Sequence, residues 1–97
     1  MRAFRIDDNQ VAIVGAARKA GASVEYWPPT RGGRPDLVIG FQGRNHFWEV
    51  KNPKTKYGQN GFNQNQTRWA EIWRGEPPTV VYSPEQAVEI LNGLRKR

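Results

Sequence analysis

Asp36, Glu49 and Lys51 are the residues of this sequence best suited to act together in chemistry. Asp36 follows a proline in Pro35-Asp36, and Glu49 and Lys51 flank one residue in Glu49-Val50-Lys51. Two carboxylates, helped by the backbone carbonyl of Val50 and by waters, can form an all-oxygen site for Mg2+. A lysine beside them can orient or deprotonate an attacking water and offset the charge of a phosphate. This combination suits hydrolysis of a phosphodiester, in which negative charge grows on the phosphoryl oxygens and the leaving oxygen must be stabilised. Each feature alone has a plainer explanation. Glu-x-Lys on a half-exposed strand is commonly a solvated face, and Pro-Asp is an ordinary loop-to-strand junction. The flanking residues argue against it, because Leu37, Val38, Ile39, Phe47, Trp48 and Val50 surround these charges with apolar side chains. A charge carried into such surroundings demands a partner.

The elements that must position the three residues are two strands, Asp36 to Phe41 and Asn45 to Lys51, joined by a short Gln42-Gly43-Arg44 connection that favours an antiparallel hairpin. Strand alternation puts Phe47, Glu49 and Lys51 on one face and His46, Trp48 and Val50 on the other. Asp36 opens the first strand, so it can converge with Glu49 near the far end of the second.

The remaining elements frame this hairpin. Asp8 or Asn9 can cap a helix to about Ala20, with Val11, Val14 and Ala17 as its apolar stripe, joined by Ile13, and Gly21 as its stop. Ser23 to Trp27 reads as a strand with Val24 and Tyr26 on one side, ended by Pro28-Pro29. Thr30 to Pro35 and Asn52 to Gly61 are rich in breakers and read as loops. Asn63 can cap a helix to about Trp73 whose apolar side is Trp69, Ile72 and Trp73. Thr79 to Tyr82 is a short strand. Ser83, Pro84 and a capping-box Gln86 start a last helix, with Ala87, Val88, Ile90, Leu91 and Leu94 on its buried side. The order α-β-β-β-α-β-α predicts an α/β fold with a mixed, mainly antiparallel central sheet flanked by helices.

Bulk composition narrows the function classes. With 97 residues and 37% apolar content, residues 1–97 have material for a single compact domain and little surplus for a second. No apolar run approaches the roughly 20 residues that span a bilayer, and Met1-Arg2-Ala3-Phe4-Arg5 lacks the apolar core of a signal peptide. An intracellular protein with no membrane partner is expected. The absence of cysteine excludes disulfides, a zinc ribbon and a thiol nucleophile, and the single His46 cannot nucleate a histidine-rich metal cluster. Fifteen Lys and Arg against nine Asp and Glu give a net charge of +6, which favours a polyanionic partner.

Gly33-Arg34-Pro35-Asp36-Leu37-Val38-Ile39-Gly40, followed by Phe47-Trp48-Glu49-Val50-Lys51 and by Gln66 in the next helix, closely resembles the VRR-NUC group of the PD-(D/E)XK nuclease superfamily. The likeness runs from Arg5 to about Leu91. It implies a restriction-endonuclease-like core that uses Mg2+, with Mn2+ able to substitute, to cut DNA. Small stand-alone members occur in bacteriophages and resemble Holliday-junction resolvases, working as homodimers on branched or structured DNA; for a phage-encoded chain the location implied is the cytoplasm of a bacterial host. Carried over residue by residue, Asp36 and Glu49 look like metal ligands and Lys51 like the catalytic lysine. Gln66 looks like the glutamine that supports the site or contacts the scissile phosphate. Taken without the resemblance, Gln66 is one amide among Asn63, Gln64 and Asn65 and could merely solvate a helix N-terminus.

The first helix departs from the pattern of the wider superfamily, many members of which carry a glutamate ligand there. This helix has Gln10 and Ala12 instead. Asp7 or Asp8 at the helix start, or Gln10 through its amide oxygen, are the available substitutes, and either aspartate also serves as a cap.

Arg31, Arg34, Lys54 and Lys56 flank the site in sequence and are the candidates for phosphate contact, ahead of Arg44 and Arg74. Arg18, Lys19 and the basic end Arg95-Lys96-Arg97 suit helix C-termini as well as they suit phosphates. Trp48, Trp69 and Trp73 fit core or dimer packing, whereas Trp27 lies beside the basic loop and could meet substrate. The rival to an enzyme is a non-catalytic nucleic-acid-binding or accessory domain, which explains the charge but not two carboxylates that repel phosphate unless a cation intervenes. A structural or protein-interaction domain is the third reading, distinguished by DNA binding that loses nothing with salt.

Overall fold

The computed structural model describes residues 8–28, 32–55 and 61–95. Among the described residues seven elements follow the predicted order: α1 Asp8–Lys19, β1 Ser23–Tyr26, β2 Leu37–Phe41, β3 Arg44–Val50, α2 Gln64–Ile72, β4 Thr79–Val81 and α3 Pro84–Leu94. They build a mixed α/β fold around one four-stranded sheet of order β1-β2-β3-β4, consistent with a restriction-endonuclease-like core. The first three strands are antiparallel neighbours, and β4 joins β3 in parallel after the crossover through α2.

The β2–β3 hairpin turns through Gln42 and Gly43 alone, with φ of 50° and 83°. Positive φ at both central positions is the primed-turn geometry whose twist matches that of the strands, and glycine takes one of them without penalty. This tight turn fixes the register, pairing Leu37 with Trp48 and Phe41 with Arg44.

The sheet has two different faces. Val24, Leu37, Ile39, Trp48 and Val81 look toward α1 and α3 and form the buried core with Ile13, Val14 and Ala17 of α1 and Ala87 and Leu91 of α3. Alternation along β3 sends Phe47 to the opposite face, where it meets Trp27, Trp69 and Trp73. Arg18 donates to the Val24 carbonyl, and Arg95 donates to the Ala20 carbonyl while lying over Phe41. Both arginines thus join helix ends to the sheet side of the core.

Several apolar positions depart from the predicted faces. Val11 is 55% exposed, and the buried stripe of α1 runs through Ile13, Val14 and Ala17. In α3, Leu94 is 40% exposed in the last turn, at the rim of cavities it shares with Phe41 and His46 of the sheet. α2 buries no residue fully; Ile72 is 71% exposed and Trp73 41%. This nine-residue helix lies on the second face, resting on the aromatic cluster and, at its start, on Gly33 and Glu49. Gln86 also departs from its predicted capping-box role: its Oε1 accepts from the Tyr82 N–H at 2.7 Å, while the Ser83 hydroxyl caps the Gln86 N–H. The last helix is thereby stitched to the end of β4. Among the described residues, no helix is long and apolar enough to cross a membrane.

Candidate active site

β3 runs two residues past the last rung it shares with β2, which ends at the Leu37–Trp48 pair. Asp36 sits at that fork. Its Oδ2 accepts the backbone N–H of Val50 at 2.8 Å, so a carboxylate closes the rung that the β2 backbone leaves open. β4 supports the other side of β3 through Val50, and Lys51 N–H continues the ladder to the Val81 carbonyl.

Glu49 and Lys51 are buried at this fork, with 4% and 5% of their surfaces exposed. Lys51 Nζ lies 3.8 Å from Glu49 Oε2. Gln66, in the first turn of α2, donates from Nε2 to the same Glu49 oxygen at 2.6 Å. Asp36, Glu49, Lys51 and Gln66 are therefore brought together from the entry to β2, the end of β3 and the start of α2. An ion pair this buried is weak as a stabilising device, since desolvation offsets most of its attraction. A buried carboxylate–lysine pair of this kind marks a candidate functional site.

Burial first, and the charge of Asp36 second, push the Glu49 carboxyl up to about 8; Lys51 opposes this and so does the hydrogen bond from Gln66. Two carboxylates this close, with one lysine to offset them, are short of positive charge. Their donor set is all oxygen, which suits a hard divalent cation and offers no soft ligand. Among the described residues no three His, Cys, Asp or Glu side chains gather into one group, so a cation here would rely on two carboxylates, main-chain oxygen and water.

The N-terminal end of α1 reaches the site through Asn9. Its Nδ2 donates to the carbonyls of Lys51 and Tyr82, both at 3.0 Å. The helix starts at Asp8, so Asn9 is inside it and its amide serves as a tether between the ends of β3 and β4, not as the predicted cap. Asp8 is exposed and Gln10 half-buried. Asp7 lies outside the described residues.

Of the predicted phosphate contacts, Arg34 and Lys54 lie among the described residues. Arg31 and Lys56 lie outside the described residues. Lys54 is exposed in a turn pinned by Asn52, whose Oδ1 accepts the Lys54 N–H and whose carbonyl accepts from Thr55. Arg34 lies 4.9 Å over the Trp27 ring and donates to the Pro28 carbonyl; its Nε is buried with no hydrogen-bond partner among the described residues. Trp27 in turn stacks on Phe47 with ring centroids 5.2 Å apart. Arg44 is at the hairpin, the opposite end of β3 from Glu49.

Two features of the site were not predicted. The tether by Asn9 has no local signal, because it joins residues 42 and 73 positions apart. The capping box of Asn63 and Gln66 carries the local signal Asn-x-x-Gln, and its reciprocal half, the Asn63 N–H to the Gln66 side chain, goes beyond the cap expected of Asn63. A cavity of about 230 Å³ opens elsewhere, between β3 and α3, where His46 Nδ1 lies 3.4 Å from Glu76 Oε2. It touches none of the four clustered residues.

A solved structure described as "VRR_NUC domain" matches this architecture with a TM-score of 0.66 and 26% sequence identity. The chain is a distant structural relative of a VRR-NUC domain. The likeness covers 89% of this chain and 92% of the other, so it concerns the whole sheet and its helices and not a shared fragment. No protein-family model matches the chain, and no curated protein matches it. The VRR-NUC likeness supports a nuclease-like function in general terms, with nucleic acid as the class of partner.

Proposed function

We propose that this chain is a divalent-metal-dependent endonuclease that hydrolyses phosphodiester bonds in structured or branched DNA, four-way junctions among them. The observation that carries the reading is the buried convergence of Asp36, Glu49, Lys51 and Gln66 at the fork between β2 and β3. The VRR-NUC likeness supports it independently of that geometry.

In this reading Asp36 and Glu49, with the Val50 carbonyl, would hold Mg2+, or Mn2+ in its place. When bound, the cation supplies Lewis-acid polarisation of a phosphoryl oxygen and a water of lowered pKa. Lys51 orients the attacking water and offsets charge on the phosphate. Gln66 holds Glu49 in place and supports the site beside the scissile phosphate. Arg31, Arg34, Lys54 and Lys56 are proposed to grip the backbone around the cut, a mode that positions DNA without reading its sequence. Residues 1–97 act as one domain, which works inside a cell, where DNA is found. A homodimer gives two symmetric sites for two strands, and the exposed Ile72 and Trp73 of the α2 end are apolar surface that a second copy would cover.

The test is incubation of the purified protein with branched, flap, nicked and linear DNA, with Mg2+, Mn2+ or chelator, beside Lys51→Ala and Glu49→Ala. Cutting is expected only with metal and is lost in both variants. Cutting that both variants retain would sink the site assignment. Salt-sensitive binding without cutting under any metal condition would favour a non-catalytic nucleic-acid-binding domain instead.

A further inference from the structure

A side-chain amide can present either end to a neighbour, because its oxygen and nitrogen are nearly identical in size and opposite in hydrogen-bonding sense. Which end of Gln66 faces Glu49 therefore needs a cause. Attraction to Glu49 alone is a weak cause in a nuclease site, since a divalent cation held by the carboxylates would draw the amide oxygen inward.

The cause lies on the other side of Gln66. Asn63 is the N-cap of α2, and its Oδ1 accepts the Gln66 N–H at 2.9 Å. Reciprocally, the Asn63 N–H donates to Gln66 Oε1, also at 2.9 Å. The amide oxygen of Gln66 is thus held by the capping box, which leaves Nε2 as the end directed at Glu49. Gly33 closes the arrangement from the loop that leads to Asp36. At φ 74° it packs so tightly on the backbone of Asn65 and Gln66 that a Cβ there would collide with it. The helix start can neither slide nor turn its first residues without disturbing that loop.

We propose that Asn63 is a positioning residue of the active site: through its main-chain N–H in the capping box it fixes the Gln66 amide with its N–H2 toward Glu49. The catalytic consequence rests on the nuclease reading above, whereas the lock itself does not. The lock makes Gln66 a donor throughout, so it serves to hold the carboxylate and is kept from acting as a cation ligand.

The side-chain N–H2 signals of Gln66 in a 15N-labelled sample report the lock directly, with and without Mg2+. Wild type is expected to show one N–H proton protected from solvent exchange in both conditions. Asn63→Pro, which suits the φ of −80° at this position and removes the main-chain donor to Gln66 Oε1, is expected to lose that protection and, where DNA is cut, to lower kcat on the order of 10-fold to 100-fold with KM for DNA little changed. Asn63→Ala, which loses the capping oxygen and keeps the main-chain N–H, should retain the protection. Gln66→Glu keeps a residue suited to the capping box but replaces the donor by an oxygen, so α2 should persist while kcat falls. A Gln66 amide that stays protected in a folded Asn63→Pro protein overturns the proposal, as does a wild-type amide that loses protection when Mg2+ is added. If wild type cuts no DNA, the nuclease reading fails while the amide signals still decide the lock.

Discussion

The Val50 N–H donates to Asp36 Oδ2 at 2.8 Å, so one carboxylate both closes the sheet and faces the Glu49 site. The two duties can be separated. Asp36→Ala leaves a strand N–H without its acceptor and is expected to cost about 1–3 kcal/mol of stability. Asp36→Asn keeps an oxygen for Val50 and should recover most of that, yet divalent-cation affinity should stay low in both. Urea denaturation and cation titration on the same three proteins check this; equal cation affinity in wild type and Asp36→Asn would remove Asp36 from the ligand set.

Glu49 makes stability depend on pH in an unusual direction for a carboxylate. Its pKa rises from 4.5 to about 8 on folding without a cation, mainly through burial. The folded state then holds the proton more tightly, so its contribution is fully present below 4.5 and is lost as pH rises toward about 8. Denaturation with chelator present should show wild type losing stability across this window relative to Glu49→Gln. Cation binding should strengthen over the same range and release a proton, read by calorimetry in two buffers of different ionisation heat. Parallel pH profiles for wild type and Glu49→Gln would contradict the assignment.

Lys51→Met replaces the buried ammonium by an apolar side chain of similar length. With Glu49 already able to hold a proton, the fold should survive, whereas cleavage should fall by roughly 10²-fold or more. Circular dichroism and single-turnover cleavage give the comparison. Near-normal cleavage by the folded variant would exclude a direct role for Lys51.

Gly33→Ala and Gly15→Ala should move stability in opposite directions. Gly33 combines positive φ with contact on the backbone of α2, and its replacement should cost about 1–3 kcal/mol and loosen Gln66. Gly15 is in α1 with open space where a Cβ would go, and alanine there should add about 0.5–1 kcal/mol. Thermal melts settle both signs.

Ile72→Glu tests the exposed end of α2. If two copies meet there, a charge at a side chain 71% exposed in the single chain should convert the dimer to monomer without lowering the stability of the monomer. Light scattering across a concentration series measures it; an unchanged mass would move the contact elsewhere.

The fold was legible because its signals are local. Gln42-Gly43 marks the hairpin, Gly21 ends α1, and Ser83-Pro84 starts α3, each within a few residues of the feature it causes. The clustering of Asp36 with Glu49 followed from strand period and a short turn. Faces were harder. Val11, Ile72 and Leu94 fit a helical stripe by spacing, yet among the described residues each stays 40% exposed or more, and coverage is a property of the whole fold. Asn9 shows the same limit at the site, because its partners lie at the ends of two distant strands. The place of Arg34 over Trp27 has no signal in the sequence, because only the folded loop brings the two together.

The two faces of the sheet also divide the molecule's fluorescence. Trp48 is buried in the core, whereas Trp27, Trp69 and Trp73 share the other face, the last two stacked with centroids 4.8 Å apart. Indoles so close couple their electronic transitions, giving the α2 face a near-ultraviolet circular-dichroism signature distinct from the emission of Trp48. The chain thus carries two native optical reporters, one sensing the integrity of the core and one sensing the helix that holds Gln66, and neither needs a label.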